Sequence, residues 1–156
     1  MEKSQQAYLD SSVFIPANLK SDQTGELARE IISSVKDGAT QGYTSTLTFD
    51  EVVFTLRKLG GFEKSVITGD IFLNIPNLKF IEVTYEIIAL AQDLIKKYRL
   101  KPRDAIHASC AINKGIKIII SDDADFDAIK ELERMSIKDF KIQKTNEKSK
   151  HRIIGL

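Results

Sequence analysis

KPRDAIHASCAINKGIKIIISDDADFDAI, residues 101–129, decides the fold. Pro102 and Asp104 suit the first turn of a helix, where a fixed φ and a negative charge are both favourable. Ala105, Ile106, Ala108, Ala111 and Ile112 continue that helix with small and apolar side chains, and Gly115 is placed to end it. Ile116 to Ile120 is then a β-branched run broken only by Lys117, the pattern of a strand covered on both faces. Asp122, Asp123 and Asp125 follow at once, at the carboxyl end of that strand. In open α/β sheets ligands bind at that edge, where carboxylates from elsewhere in the sequence can join these acids.

Working outward, Ala7 to Asp10 reads as a short buried strand that ends on an acid. Ser11 or Ser12 can cap a short helix, which Pro16 or Asn18 should interrupt. Leu27, Ile31, Ile32 and Val35 give a helix over 23–36, closed by Asp37-Gly38. A brief strand at 42–45 precedes a helix opened by Thr46 or Thr48 and running through Gly60, with Val52, Val53, Leu56 and Leu59 as its apolar stripe and Glu51 at the border. Phe62 to Leu73 is a further helix, with Val66, Ile67, Phe72 and Leu73 expected inward. Leu78 to Val83 tends to strand, and Thr84 caps a helix carrying Ile87, Ile88, Ala91, Leu94, Ile95 and Tyr98 at helical spacing. Beyond the opening stretch, 124–130 reads as a short helix and 134–140 as an edge strand. Alternating strands and helices predict an α/β fold, a three-layer sandwich around a central, mainly parallel sheet.

The 156 residues fit one domain, long enough to bury about 70% of the unfolded surface. The domain is expected over 1–140, with 141–156 as a basic C-terminal tail. That tail carries Lys141, Lys144, Lys148, Lys150 and Arg152 against Glu147 alone, a net of +4, and leaves the body at −3. Such an asymmetry suits contact with nucleic acid or a solvated end equally. No run reaches the ~18 apolar residues of a membrane helix, and MEKSQQ is too polar for a secretory signal, so no membrane partner is expected. The single cysteine, Cys110, lies among small helical residues and reads as core packing, consistent with a reducing, cytoplasmic setting.

Parallel strands joined by right-handed crossovers end on one edge, which makes Asp10 and the acids of 122–125 neighbours. Helices that begin over the same edge can add Glu51 and Asp104. Like charges at ~4 Å cost on the order of 4 kcal/mol per pair at an effective dielectric near 20, so protons, a basic partner or divalent cations must neutralise them. Hard oxygen ligands without His or Cys suit Mg²⁺ or Mn²⁺, and such sites typically activate water and clamp a phosphate for in-line attack. Each acid also has a plainer reading. Asp10 could be a cap, Glu51 a solvated acid in competition with Asp50, Asp104 an answer to the helix dipole, and Asp122, Asp123 and Asp125 a turn cluster. His107, one helical turn beyond Asp104, reads as a packed or hydrogen-bonded residue before it reads as a base. Arg103 could meet phosphate or a nearby acid.

YLDSSVFI with Asp10, TSTLTFDEV with Glu51, RDAIHA with Asp104 and SDDADFDAI with Asp123 and Asp125 stand in an order that resembles the PIN-domain family, in particular the VapC-type toxin ribonucleases of toxin–antitoxin pairs. The resemblance covers residues 8–129. It implies a metal-dependent endoribonuclease in which Asp10, Glu51, Asp104 and Asp123 hold one or two Mg²⁺ or Mn²⁺ ions, with RNA as substrate, a small antitoxin as partner and a homodimer as the usual assembly. It makes Asp125 secondary, since that position varies, and gives Ser12 and Ser121 the place of small polar residues that hydrogen-bond the acids. Ser12 stands where many members have Asn or Thr, which weakens that contact. Asp122 falls between the pattern positions and is expected to face solvent. Two other readings stay open: a PIN-like RNA-binding or scaffold protein without cleavage, and a phosphatase or receiver-type domain. The latter is disfavoured because Ser11-Ser12, with no second acid, follows Asp10.

Overall fold

In a computed structural model, which describes residues 3–143, five strands form one sheet in the order β3-β2-β1-β4-β5. The strands are β1 (Gln5–Leu9), β2 (Thr40–Ser45), β3 (Lys79–Ile81), β4 (Ile118–Ile120) and β5 (Glu133–Met135), and every pairing is parallel. The helices are α1 (Ser11–Leu19), α2 (Gln23–Lys36), α3 (Thr46–Gly60), α4 (Phe62–Leu73), α5 (Tyr85–Tyr98) and α6 (Pro102–Asn113), with a 3₁₀ turn at Ala124–Ala128. The expected three-layer sandwich is therefore the fold. Chain order runs outward from β1 to β2 and β3, then returns to β4 on β1's other side. The strand order thus reverses between β1 and β4, where a crevice opens at the carboxyl edge.

Strand alternation sorts the two cores. Tyr8 and Ile119 face a layer built on Ile87, Ala91 and Leu94 of α5 and Ala105 and Ala108 of α6. Ala7, Leu9 and Ile120 face the other layer, with Phe14 of α1, Ile31 of α2, Val52 and Leu56 of α3 and Phe72 of α4. Gly42 is needed where α2 lies on β2, because a Cβ there would stand 2.6 Å from Val35 Cγ2.

Several local expectations shift. Pro16 does not interrupt α1 but sits inside it; the backbone hydrogen bond it forgoes is offset by burial of Val13, Phe14 and Pro16 itself. The cap of α1 is Asp10, not a serine. The strand expected from Ile116 begins at Ile118, because Ile116 closes α6. Gly115 (φ 76°) donates to Ile112 O at 3.0 Å and Ile116 N–H to Ala111 O at 2.9 Å, a Schellman ending. The edge strand expected over 134–140 is only β5. A Ser136–Asp139 turn follows it, and Ile137 and Phe140 enter the core.

The largest departure is in the α3–α4 pair. Ser65, Thr68, Gly69 and Phe72 face inward on α4, while Val66, Ile67 and Leu73 are exposed, as are Leu59 of α3 and Ile88 of α5. A Cβ on Gly69 would lie 3.3 Å from Val53 Cγ2, so small residues are what let α4 pack against α3. The tail expected over 141–156 lies outside the described residues from position 144 on; Ile142, before it, packs on the core. Among the described residues no helix is long and apolar enough to cross a membrane.

Candidate metal centre

Asp10 leaves β1 at the switch point and is nearly buried. Ser12 donates to its Oδ1 through both N–H (2.9 Å) and Oγ (2.6 Å), and Ser121, just past β4, donates to Oδ2 at 2.6 Å. Burial pushes the Asp10 carboxyl up, although His107, Ser12 and Ser121 pull the other way. The two serines also tie the next loop down, since Ser121 Oγ accepts from Asp123 N–H and Ser12 Oγ from Asp122 N–H, both at 3.0 Å. Asp10 is thus at once a helix cap and the floor of the edge; the two readings of it are compatible. The Ser12 contact, expected to be weak, is short.

Asp104 lies in the first turn of α6, and Asp123 caps the 3₁₀ turn by accepting from Asp125 N–H at 2.9 Å. Oxygens of Asp104, Asp123 and Asp125 lie within 4.8 Å of one another, a spacing that could hold one cation. Asp104 Oδ2 is buried and accepts no hydrogen bond. Burial first, then the charges of Asp123 and Asp125, raise the Asp104 carboxyl to about 6 against the opposing pull of His107 and Lys101. Lys101 Nζ stands 3.2 Å from Asp125, an exposed pair in which Lys101 acts most strongly on the outermost acid.

Glu51 borders the same cleft, about 520 Å³, with Lys101, Pro102, Arg103, Asp104 and Asp123. Its Oε2 lies 2.9 Å from His107 Nε2, and His107 Nδ1 lies 2.7 Å from the Tyr8 hydroxyl. Burial raises the Glu51 carboxyl, but His107, Ser11 and Arg103 outweigh it and leave the group below its usual range. His107 therefore hydrogen-bonds within the fold, as expected of it. Arg103 lies 3.9 Å from Asp50. Asp122 is exposed as expected, and it also accepts from Ile137 N–H at 2.9 Å.

Among the described residues, then, the acids brought into mutual range are Asp104, Asp123 and Asp125; Asp10 and Glu51 flank that group without entering it. Asp125, expected to be secondary, is one of the three. The sequence reading missed Tyr8 and Lys101. Alternation placed Tyr8 on Asp10's side of β1, which was the available signal; Lys101 had only its place beside the helix start.

The donor set fits a hard divalent cation: carboxylate oxygens only, three of them close, one buried and unanswered. Zinc would call for His or Cys ligands, and His107 is already committed through both nitrogens.

No curated protein matches the sequence. Solved structures do match the fold. Mycobacterium tuberculosis VapC20, a sarcin–ricin-loop-cleaving toxin, aligns at 20% identity over 80% of this chain and 95% of its own, with a TM-score of 0.68. VapBC2 from Rickettsia felis, bound to a DNA fragment from its promoter, aligns at 16% identity over 85% and 98%, also at 0.68. A toxin–antitoxin complex from Klebsiella pneumoniae aligns at 20% over 81% and 95%, at 0.59. The family model of the PIN domain matches residues 7–132, which takes in β2 to β4, the end of β1 and all the acids of the cleft. With most of its length matched, this chain belongs to the PIN-domain family.

Proposed function

We propose that this protein is a metal-dependent endoribonuclease, that Asp10, Glu51, Asp104 and Asp123 hold Mg²⁺ or Mn²⁺ with Asp125 in support, and that it acts as the toxin of a toxin–antitoxin pair. The observation that carries the reading is the buried, unanswered Asp104 Oδ2 beside two further carboxylates at the switch-point edge. Three acids within 4.8 Å repel one another, and the one lysine beside them, Lys101, is exposed and pairs with Asp125. A bound divalent ion supplies the missing positive charge, lowers the pKa of a water and draws in phosphate. The chain's own part is to hold the acids at fixed spacing. Asp10 is locked by Ser12 and Ser121, Asp123 by the 3₁₀ turn it caps, and that turn by Arg134, which donates to Asp127 at 2.8 and 3.1 Å and to Ser121 O at 3.0 Å. No side chain is required as a nucleophile.

Membership of a nuclease family and neighbours that are toxins or toxin–antitoxin complexes support the rest of the reading. So does an exposed apolar face on α3 and α4, formed by Phe54, Leu59, Phe62, Val66, Ile67, Ile71 and Leu73. A surface of that kind suits burial against an antitoxin or a second copy of the chain. The test is Mn²⁺- or Mg²⁺-dependent cleavage of structured and single-stranded RNA by wild type, Asp10→Asn and Asp104→Asn. Cleavage lost on chelation and in both variants is expected. Equal cleavage by all three would mean a contaminating nuclease. RNA binding that survives chelation, without cleavage, would favour the non-catalytic PIN-like scaffold.

A further inference from the structure

His107 bridges three elements. Its ring is 2% exposed and projects from α6 between Tyr8 of β1 and Glu51 of α3. The Tyr8 and His107 rings meet edge to face, with centroids 5.8 Å apart and planes at 62°. A carboxylate only accepts, so the hydrogen in the 2.9 Å contact belongs to Nε2. A neutral ring then has Nδ1 as its acceptor, facing the Tyr8 hydroxyl at 2.7 Å. With the ring neutral, donation runs from the Tyr8 O–H to Nδ1 and from Nε2–H to Glu51.

Packing alone would use the ring's bulk and leave its nitrogens to whatever lay nearby. Here both nitrogens are engaged, and one ends on Glu51, which lines the cleft together with Asp104 and Asp123. From this geometry we infer that Tyr8 and His107 are positioning residues, which fix the orientation of Glu51 toward a divalent cation in the cleft. The inference rests on the proposed metal-dependent function. Neither residue touches substrate. The Tyr8 hydroxyl anchors the His107 ring at Nδ1, and the ring's Nε2–H sets the Glu51 carboxylate, in the way that a metal-ligand's own hydrogen-bond partner tunes its ligand.

Side-chain reach gives a sharp test. Gln at position 107 can place an amide N–H near the site of Nε2, whereas Asn reaches only the site of Nδ1. Mn²⁺ affinity is to be measured by calorimetry, with kcat and KM for RNA cleavage and Tm for each variant. His107→Asn should weaken Mn²⁺ binding and lower kcat about 10–100-fold with little change in KM. His107→Gln should restore most of that loss, and Tyr8→Phe, which keeps the ring and removes only the hydroxyl, should fall between. Equal losses in His107→Gln and His107→Asn, or Mn²⁺ affinity in Tyr8→Phe and His107→Asn matching wild type, would overturn the inference. Asp104→Asn separates the two levels of the claim. If it alone loses Mn²⁺, the metal centre stands and the positioning role fails; if wild type binds no Mn²⁺, both fail.

Discussion

Asp10 and Asp104 are carboxylates of one sheet edge, and their surroundings are opposite. Asp10 has both oxygens answered, by three donors from Ser12 and Ser121, and those serines in turn hold the backbone of residues 122 and 123. Asp104 has a buried oxygen that no donor meets, and its nearest charged company includes Asp123 and Asp125. The floor of the site is a finished hydrogen-bond network, while its rim is incomplete. After burial, the like charges of Asp123 and Asp125 add to the cost of ionising Asp104. A fold keeps such a cost where something outside the chain removes it. The floor fixes where the acids stand, and the rim is where the proposed cation would be held.

The contrast breaks most visibly on addition of metal. At free Mn²⁺ about 100 times its Kd, linkage stabilises the protein by about 2.7 kcal/mol, or a rise in Tm of roughly 5–10 °C for a chain of this size. Asp104→Asn should abolish that shift while leaving the metal-free protein no less stable than wild type, since it removes repulsion and no hydrogen bond. Differential scanning calorimetry with and without Mn²⁺ reads both quantities. An undiminished shift in the variant would place the ion away from the rim.

How much of this was legible beforehand depends on what each residue's signal encoded. The β-branched run at 116–120 and the acids beyond it announced a buried strand with its carboxyl edge, because burial on both faces leaves a composition that few other elements share. Asp10, Asp104 and Asp123 followed from strand ends and helix starts. Their unequal roles did not. Whether a carboxylate is answered depends on Ser12 and Ser121, 109 positions apart in sequence and brought together only by the β1–β4 pairing. The α4 helix was misjudged for a different reason. Its apolar residues occupy more than one face, and the face that packs is the one with Ser65, Thr68 and Gly69, because close approach to α3 required small side chains there. Hydrophobicity alone reads that helix inside out. In the same way, the ending of α6 took Ile116 from the strand that its composition suggested.

A smaller effect sharpens the floor. Ser121→Ala removes the donor to Asp10 Oδ2 and the acceptor of Asp123 N–H together, leaving a buried carboxylate oxygen unanswered. Metal-free stability should fall by about 1–3 kcal/mol, at roughly 2–4 °C of Tm per kcal/mol. Denaturant titration of Ser121→Ala beside Asp104→Asn measures the difference directly. If both variants are equally stable, the floor is no more structural than the rim.

The smallest effect is a dependence on pH, and its sign distinguishes the two regions further. The Asp104 carboxyl is raised to about 6, chiefly by burial and then by Asp123 and Asp125, whereas an unfolded aspartate titrates near 3.9. Between those values the folded chain holds a proton that the unfolded chain has released, so stability of the metal-free protein falls as pH rises through this window. Solvent reaches part of the group, and the discounted contribution is on the order of 1 kcal/mol. Asp10 is raised too and adds a slope of the same sign, which Asp104→Asn keeps. Glu51 is lowered, and its contribution is lost only at more acid pH, as the solution falls through its folded value. Tm measured in chelator between pH 4.5 and 6.5 should therefore decline with pH more steeply in wild type than in Asp104→Asn. With saturating Mn²⁺ the wild-type slope should reverse, because cation and proton compete for the same oxygens. Parallel curves for the two proteins in chelator would mean that Asp104 is solvated like any surface acid, and the distinction between a finished floor and an unfinished rim would lose its basis.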